Sequence, residues 1–156
     1  MLVLACSNAE TDDGDIAPPV MHLDTTTVRL ASATDTLRLH AEVARTTEER
    51  TMGLMERRSL ADTAAMLFIF PGTQPADAGF WMYRTRIPLD IAFADSAGRV
   101  VAVRTMTPCT AQLIAGCPSY APGQPYRFAL EVNAGLLARR GMGAGARLSS
   151  SVLPRR

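Results

Sequence analysis

From Thr36 onward the chain alternates. Leu37, Leu39, Ala41 and Val43 take one set of positions, and Arg38, His40 and Glu42 take the other. A period of two puts these sets on opposite faces of an extended chain, so the segment is a half-buried strand. It stops at TTEER, where Thr46 or Thr47 can cap a helix and Glu48 and Glu49 suit the positive end of its dipole. Met52, Met55 and Leu60, with Arg57 and Arg58 among them, continue as a short helix or turn. Residues 66–70, MLFIF, are apolar without interruption and end at Pro71-Gly72, the pattern of a buried strand. PGTQPADAG is a loop. FWMY, LDIAFAD, RVVAVRTM and YRFALEV read as further strands, divided by turn residues such as Asp95-Ser96-Ala97-Gly98. Residues 133–140 suit one or two helical turns, and residues 147–153 suit a closing strand.

Roughly seven to nine short strands with little helix predict a mainly β domain, an antiparallel sandwich or barrel with one or two short helices. Residues 7–24 are polar, acidic and proline-bearing, with neither period, and read as a flexible tether. The single folded domain therefore takes residues 25–156. GMGAG at 141–145 follows a helical stretch rather than a strand, the wrong context for a phosphate loop.

Composition narrows the choice of function. The chain has 156 residues, 47% of them apolar, and a net charge of +1. That balance leaves no electrostatic footprint for nucleic acid or an anionic membrane. All sixteen basic residues are arginine; arginine forks suit carboxylates and phosphates, and a codon-biased genome gives the same count. No apolar stretch reaches the roughly 18 residues of a spanning helix.

The cysteines suggest a compartment. MLVLAC, followed by Ser7 and Asn8, resembles the end of a bacterial lipobox, in which Cys6 would be lipidated and residues 1–5 removed as the remnant of a signal. Export leaves Cys109 and Cys117, which are expected to pair in an oxidising compartment. The expected setting is the bacterial envelope, with the membrane reached through the Cys6 anchor.

Candidate chemistry gathers in FWMYRTRIPLDIAF, residues 80–93, which holds the only tryptophan, Trp81. Pro88 is a poor residue for a central strand, so a bend is expected before Leu89. Asp90 alternates with apolar neighbours and is expected to point inward, where a carboxylate needs a partner; Arg50, Arg57 and Arg84 are the candidates. Trp81, Asp90, Arg50, Arg57 and Arg84 could thus form a polar floor beside an aromatic wall, the make-up of a small-ligand pocket. The competing arrangement is a buried Arg–Asp pair with Trp81 as a core plug. In either case Phe80, Met82, Ile87, Leu89, Ile91 and Phe93 are expected to be buried.

ERTMGLMERRSL, MLFIF, FWMYRTRIPLDIAF, CPSY and LEVNAG occur in that order. Together they resemble the bacterial and archaeal domain of unknown function 192 family over about residues 36–148. Tyr83 and Arg84 stand where that family usually has a basic residue and an asparagine. The resemblance implies a compact β-rich domain, often behind a signal peptide or lipobox, and implies no activity. The favoured reading is therefore an envelope module that binds a small ligand or a partner protein, without catalytic residues, cofactor or metal. A hydrolase of glycan or cell-wall material would need two facing carboxylates, and no spacing among Glu42, Glu49, Asp90, Asp95 and Glu131 singles out a pair. A copper-handling protein could use the methionines, Met52, Met55, Met66, Met82 and Met106 among them, but no histidine lies near them in sequence.

Overall fold

The computed structural model describes residues 22–154. Cys6 and the tether up to residue 21 lie outside the described residues. Seven strands and two short helices follow in order: β1 (Thr25–Ala31), β2 (Thr36–Ala44), α1 (Thr47–Met52), β3 (Ala64–Gln74), β4 (Leu89–Ala94), β5 (Val100–Met106), β6 (Tyr126–Asn133), α2 (Leu136–Arg139) and β7 (Arg147–Ser149). The strands form one sheet in the order β5-β4-β6-β3-β2-β1-β7, curled into a half-barrel. The fold is thus mainly β, as the strand spacing predicts, and of the two expected forms it is the barrel-like one. One pairing departs from the antiparallel rule: β2 and β3 run parallel, because α1 and the turn after it carry the chain back to the start of the sheet.

The alternation from Thr36 has its expected meaning. Leu37, Leu39 and Ala41 join Val28 and Leu30 of β1, Leu67 of β3 and Phe128 and Leu130 of β6 in the core on the concave face. The two edges of the sheet meet at one end. The Val100 and Leu148 amides donate to the Ala146 and Gly98 carbonyls at 2.8 and 2.7 Å. Gly98 has φ 76°, and a Cβ there would lie 2.3 Å from the Leu148 carbonyl oxygen, so glycine is what lets the edges touch.

The convex face of β3, β6, β4 and β5 carries a second core. Met66, Phe68, Leu89, Ile91, Phe93, Met106 and Ala129 are covered by Leu54, Met82, Phe80 and Tyr120 from the connecting segments. α1 is shorter than expected and begins with a capping box: the Thr46 hydroxyl accepts from the Glu49 amide at 3.1 Å, and the Glu49 carboxylate accepts the Thr46 amide at 2.8 Å. FWMY is not a strand. Phe80 and Tyr83 make only isolated bridges, to Tyr120 and Cys109, because this segment lies over the sheet rather than within it. Met82, Leu89, Ile91 and Phe93 are buried as expected, whereas Phe80 and Ile87 in the covering segment are only partly so.

Cys109 and Cys117 form a disulfide, with Cα atoms 5.7 Å apart. The loop it closes is bound to the covering segment: the Cys109 amide donates to the Met82 carbonyl at 3.3 Å, and the Tyr83 hydroxyl to the Gln112 carbonyl at 3.2 Å. Replacing both cysteines by serine is expected to cost about 2.5 kcal/mol through the entropy of the unfolded chain. Urea denaturation of the double variant beside the oxidised protein measures it; an unchanged midpoint contradicts it.

Candidate functional site

The convex core is incomplete. Between α1, the covering segment and the outer face of β3 and β6 lies a half-open cavity of about 230 Å³. Five aromatic side chains line it: Phe68, Phe70, Phe80, Trp81 and Tyr126. Four of them pack through their edges. Phe80 meets Phe68 at 5.0 Å and Phe70 at 6.3 Å between centroids, and Phe70 meets Tyr126 at 5.5 Å. Trp81 is 40% exposed and stands at the edge of the cavity. It forms a wall of the cavity rather than a plug of the core.

Arg50 lines the same cavity. Its guanidinium lies over the Phe70 ring, 5.0 Å from the centroid. It donates to the Ile69 carbonyl at 3.3 Å, to the Thr47 hydroxyl at 3.4 Å and to the Arg45 carbonyl. No carboxylate pairs with it among the described residues. α1 positions it: the capping box fixes the first turn, and Arg50 follows in the last turn.

The floor holds Glu131. This β6 residue shares the convex face with Ala129, and its Cα partners are Met66 on β3 and Ile91 on β4. It is 4% exposed, and burial pushes its carboxyl up to about 8. No ion pair offsets that burial among the described residues. Every side-chain polar atom sealed from solvent has a partner among the described residues. The Glu131 carboxyl has none, so it faces the open space of the cavity. In the sequence it was one carboxylate among several; no local pattern marks it, because its burial comes from segments distant in the chain.

Other expected site residues lie elsewhere. Asp90 is 1% exposed but has no arginine partner. Its carboxylate accepts the Thr105 hydroxyl at 2.7 Å and the Leu137 amide at 3.2 Å, capping α2. The reason is parity. Asp90 points to the concave face with Ala92 and Ala94, while Arg50 and Arg57 approach from the convex side. Arg57 pairs with Glu42. Arg84 is exposed and binds Glu56 at 2.8 Å; with Arg86 it holds the Glu56 carboxyl below its ordinary range. Arg84 has φ 55°, left-handed backbone that asparagine tolerates better than arginine. The structure thus brings Trp81 and Arg50 together with Glu131, and leaves Asp90, Arg57 and Arg84 outside the cavity.

The fold and this cavity define a class: a small curled β-sheet domain with an aromatic recess on its convex face and one buried acid at the floor. The domain of unknown function 192 family, described as Uncharacterized ACR, matches residues 28–150, and the chain belongs to it. Among solved structures it is similar to a Sinorhizobium meliloti protein provisionally described as a transcription regulator. That likeness has TM-score 0.74 and 32% identity over 84% of this chain and 97% of the other. It is also similar to a Novosphingobium aromaticivorans protein of unknown function, with TM-score 0.72 and 30% identity over 92% and 99% of the two chains. Among curated proteins none matches.

Two outcomes are expected. Asp90→Ala leaves the buried Leu137 amide unpaired and should cost about 1–3 kcal/mol in chemical denaturation; no change would show that α2 is not held there. Glu131 is protonated when folded up to about pH 8 but ionises near 4.5 when unfolded. The folded state therefore binds the extra proton, and stability falls between those values by up to about 1.4 kcal/mol per pH unit. Glu131→Gln should flatten that slope and be more stable than the parent at pH 8. Identical pH profiles would contradict the burial of an unpaired acid.

Proposed function

We propose that the protein is a small-ligand-binding module whose site is the cavity between α1 and the convex face of the sheet. The observation that carries this reading is Glu131, a buried carboxyl without a partner facing an aromatic-lined recess. An acid in such surroundings is costly to keep unless something else uses it. Aromatic walls with a few converging polar groups are the ordinary composition of a ligand pocket. The glycan hydrolase reading is weaker, since Glu131 is the one carboxylate in the lining among the described residues and hydrolysis of that kind needs two. Met52 and Met55 line the cavity, but no imidazole or thiolate joins them for copper. The description attached to the Sinorhizobium relative would bring in DNA; a net charge of +1 offers no basis for that here.

The domain is also proposed to work in an oxidising envelope compartment, tethered through lipid on Cys6. The Cys109–Cys117 bond and the lipobox-like MLVLAC support this. Mass spectrometry of the native N-terminus tests it, and an unmodified Cys6 in protein expressed from the full gene would overturn it.

Trp81 gives the cavity its own reporter, because the chain has no other tryptophan. A fragment screen read by tryptophan fluorescence should find ligands that shift its emission, with no turnover of glycan substrates. Trp81→Ala should weaken those ligands at least about tenfold. It should lower stability by less than the roughly 3–5 kcal/mol of a core aromatic. A loss of that larger size would restore Trp81 to the core.

A further inference from the structure

The cavity's charges are arranged in an unusual order: at the floor an acid with no partner among the described residues, rings around it, and at the wall a guanidinium bound to two carbonyls and a hydroxyl but to no carboxylate among the described residues. We propose that the ligand is a small zwitterion, with a methylated ammonium head held by the rings against Glu131 and a carboxylate paired to Arg50. This rests on the ligand-binding reading above and adds the chemical class.

Glu131 ionises at neutral pH only if a countercharge stands beside it. Across the convex face its row reads Glu42, Met66, Glu131, Ile91, Arg104 from β2 to β5. Its immediate neighbours are apolar. Glu42 is tied to Arg57, and the Arg104 guanidinium donates to the Val103 and Pro122 carbonyls, both at 2.9 Å. The other titratable groups in the lining are Arg50 and Tyr126; burial pushes the Tyr126 hydroxyl up to about 12, so it stays neutral. None of these offers Glu131 a countercharge. A cation from outside would supply one.

The walls favour the same sign. Aromatic faces attract cations, and the lining already holds one, Arg50, over Phe70. An ammonium carrying N–H groups would need an acceptor for each. Among the buried lining residues the side-chain acceptors are the Glu131 carboxylate and the Thr85 and Tyr126 hydroxyls, set among rings and thioethers. A methylated head has no such demand and presents apolar surface to the rings. A plain cation, however, would be repelled by Arg50. A carboxylate on the same molecule removes the conflict, since the guanidinium pairs with no protein carboxylate among the described residues and suits one geometrically.

Three probes separate these features. Glycine betaine has both charges. 3,3-Dimethylbutyrate has the same shape and carboxylate, with carbon in place of the charged nitrogen. Choline has the head without the carboxylate. Calorimetry and Trp81 fluorescence should show betaine binding at least about tenfold tighter than either relative. Glu131→Gln should abolish the advantage over 3,3-dimethylbutyrate while leaving that probe's own affinity unchanged, a result a misfolded variant could not give. A cation stabilises ionised Glu131, so binding should release a proton at pH 7. Betaine affinity should then rise by about tenfold per pH unit towards 8 and level off above it. If 3,3-dimethylbutyrate binds as well as betaine, the cation is not recognised and the zwitterion proposal fails, while the small-ligand reading survives. If none of the three binds, the proposal fails too, and the fragment screen alone decides the broader reading.

Discussion

Both sides of β4 are sealed from water. All six residues of Leu89–Ala94 are buried, and that requirement organises the molecule. A sheet with one wet face needs a single core. Here the concave face is filled by the curl of the sheet itself and by α2, so the convex face of β3, β6, β4 and β5 needs a separate cover. α1, the 78–87 segment and the disulfide loop supply it. Covers made from connecting segments do not pack like regular elements, and the space they leave over Phe68 and Glu131 is the cavity.

The same requirement explains how charge is distributed. Among the described residues Asp90 and Glu131 are the buried acids, and they sit on opposite faces. Asp90 is satisfied by a hydroxyl and a helix amide, and is thereby part of the architecture. Glu131 has only the cavity to face. Two acids of similar burial thus differ in role because their neighbours differ, which is the distinction the proposed function rests on.

Much of this was legible in the sequence. Alternation from Thr36 to Val43 and the apolar run at 66–70 are properties of neighbouring residues, and they specify β2 and β3 directly. Thr46 and Glu49 announce α1 in the same way. What was not legible depends on distant parts of the chain. FWMY has strand composition, yet it lies across the sheet, because the partner edges are already taken by β5 and β6 on either side of β4. Asp90 and Arg57 each carry charge near apolar positions; only the facing of β4 shows that they cannot meet. In YRFALEV, Glu131 occupies what looks like a solvent-side position of an alternating strand. Its burial exists only once segments some fifty residues and more earlier have folded over it.

The short covalent loop at Cys109–Cys117 takes on another meaning beside the cavity. Its backbone holds Met82 and Tyr83, the neighbours of Trp81. The curled sheet, by contrast, closes through Gly98 and Leu148, in hydrogen bonds that do not involve the disulfide loop. Closure of the scaffold and fastening of its recess are therefore made by separate contacts. The bridge therefore fastens the wall beside Trp81 directly, and reaches the sheet closure only through the stability of the chain as a whole.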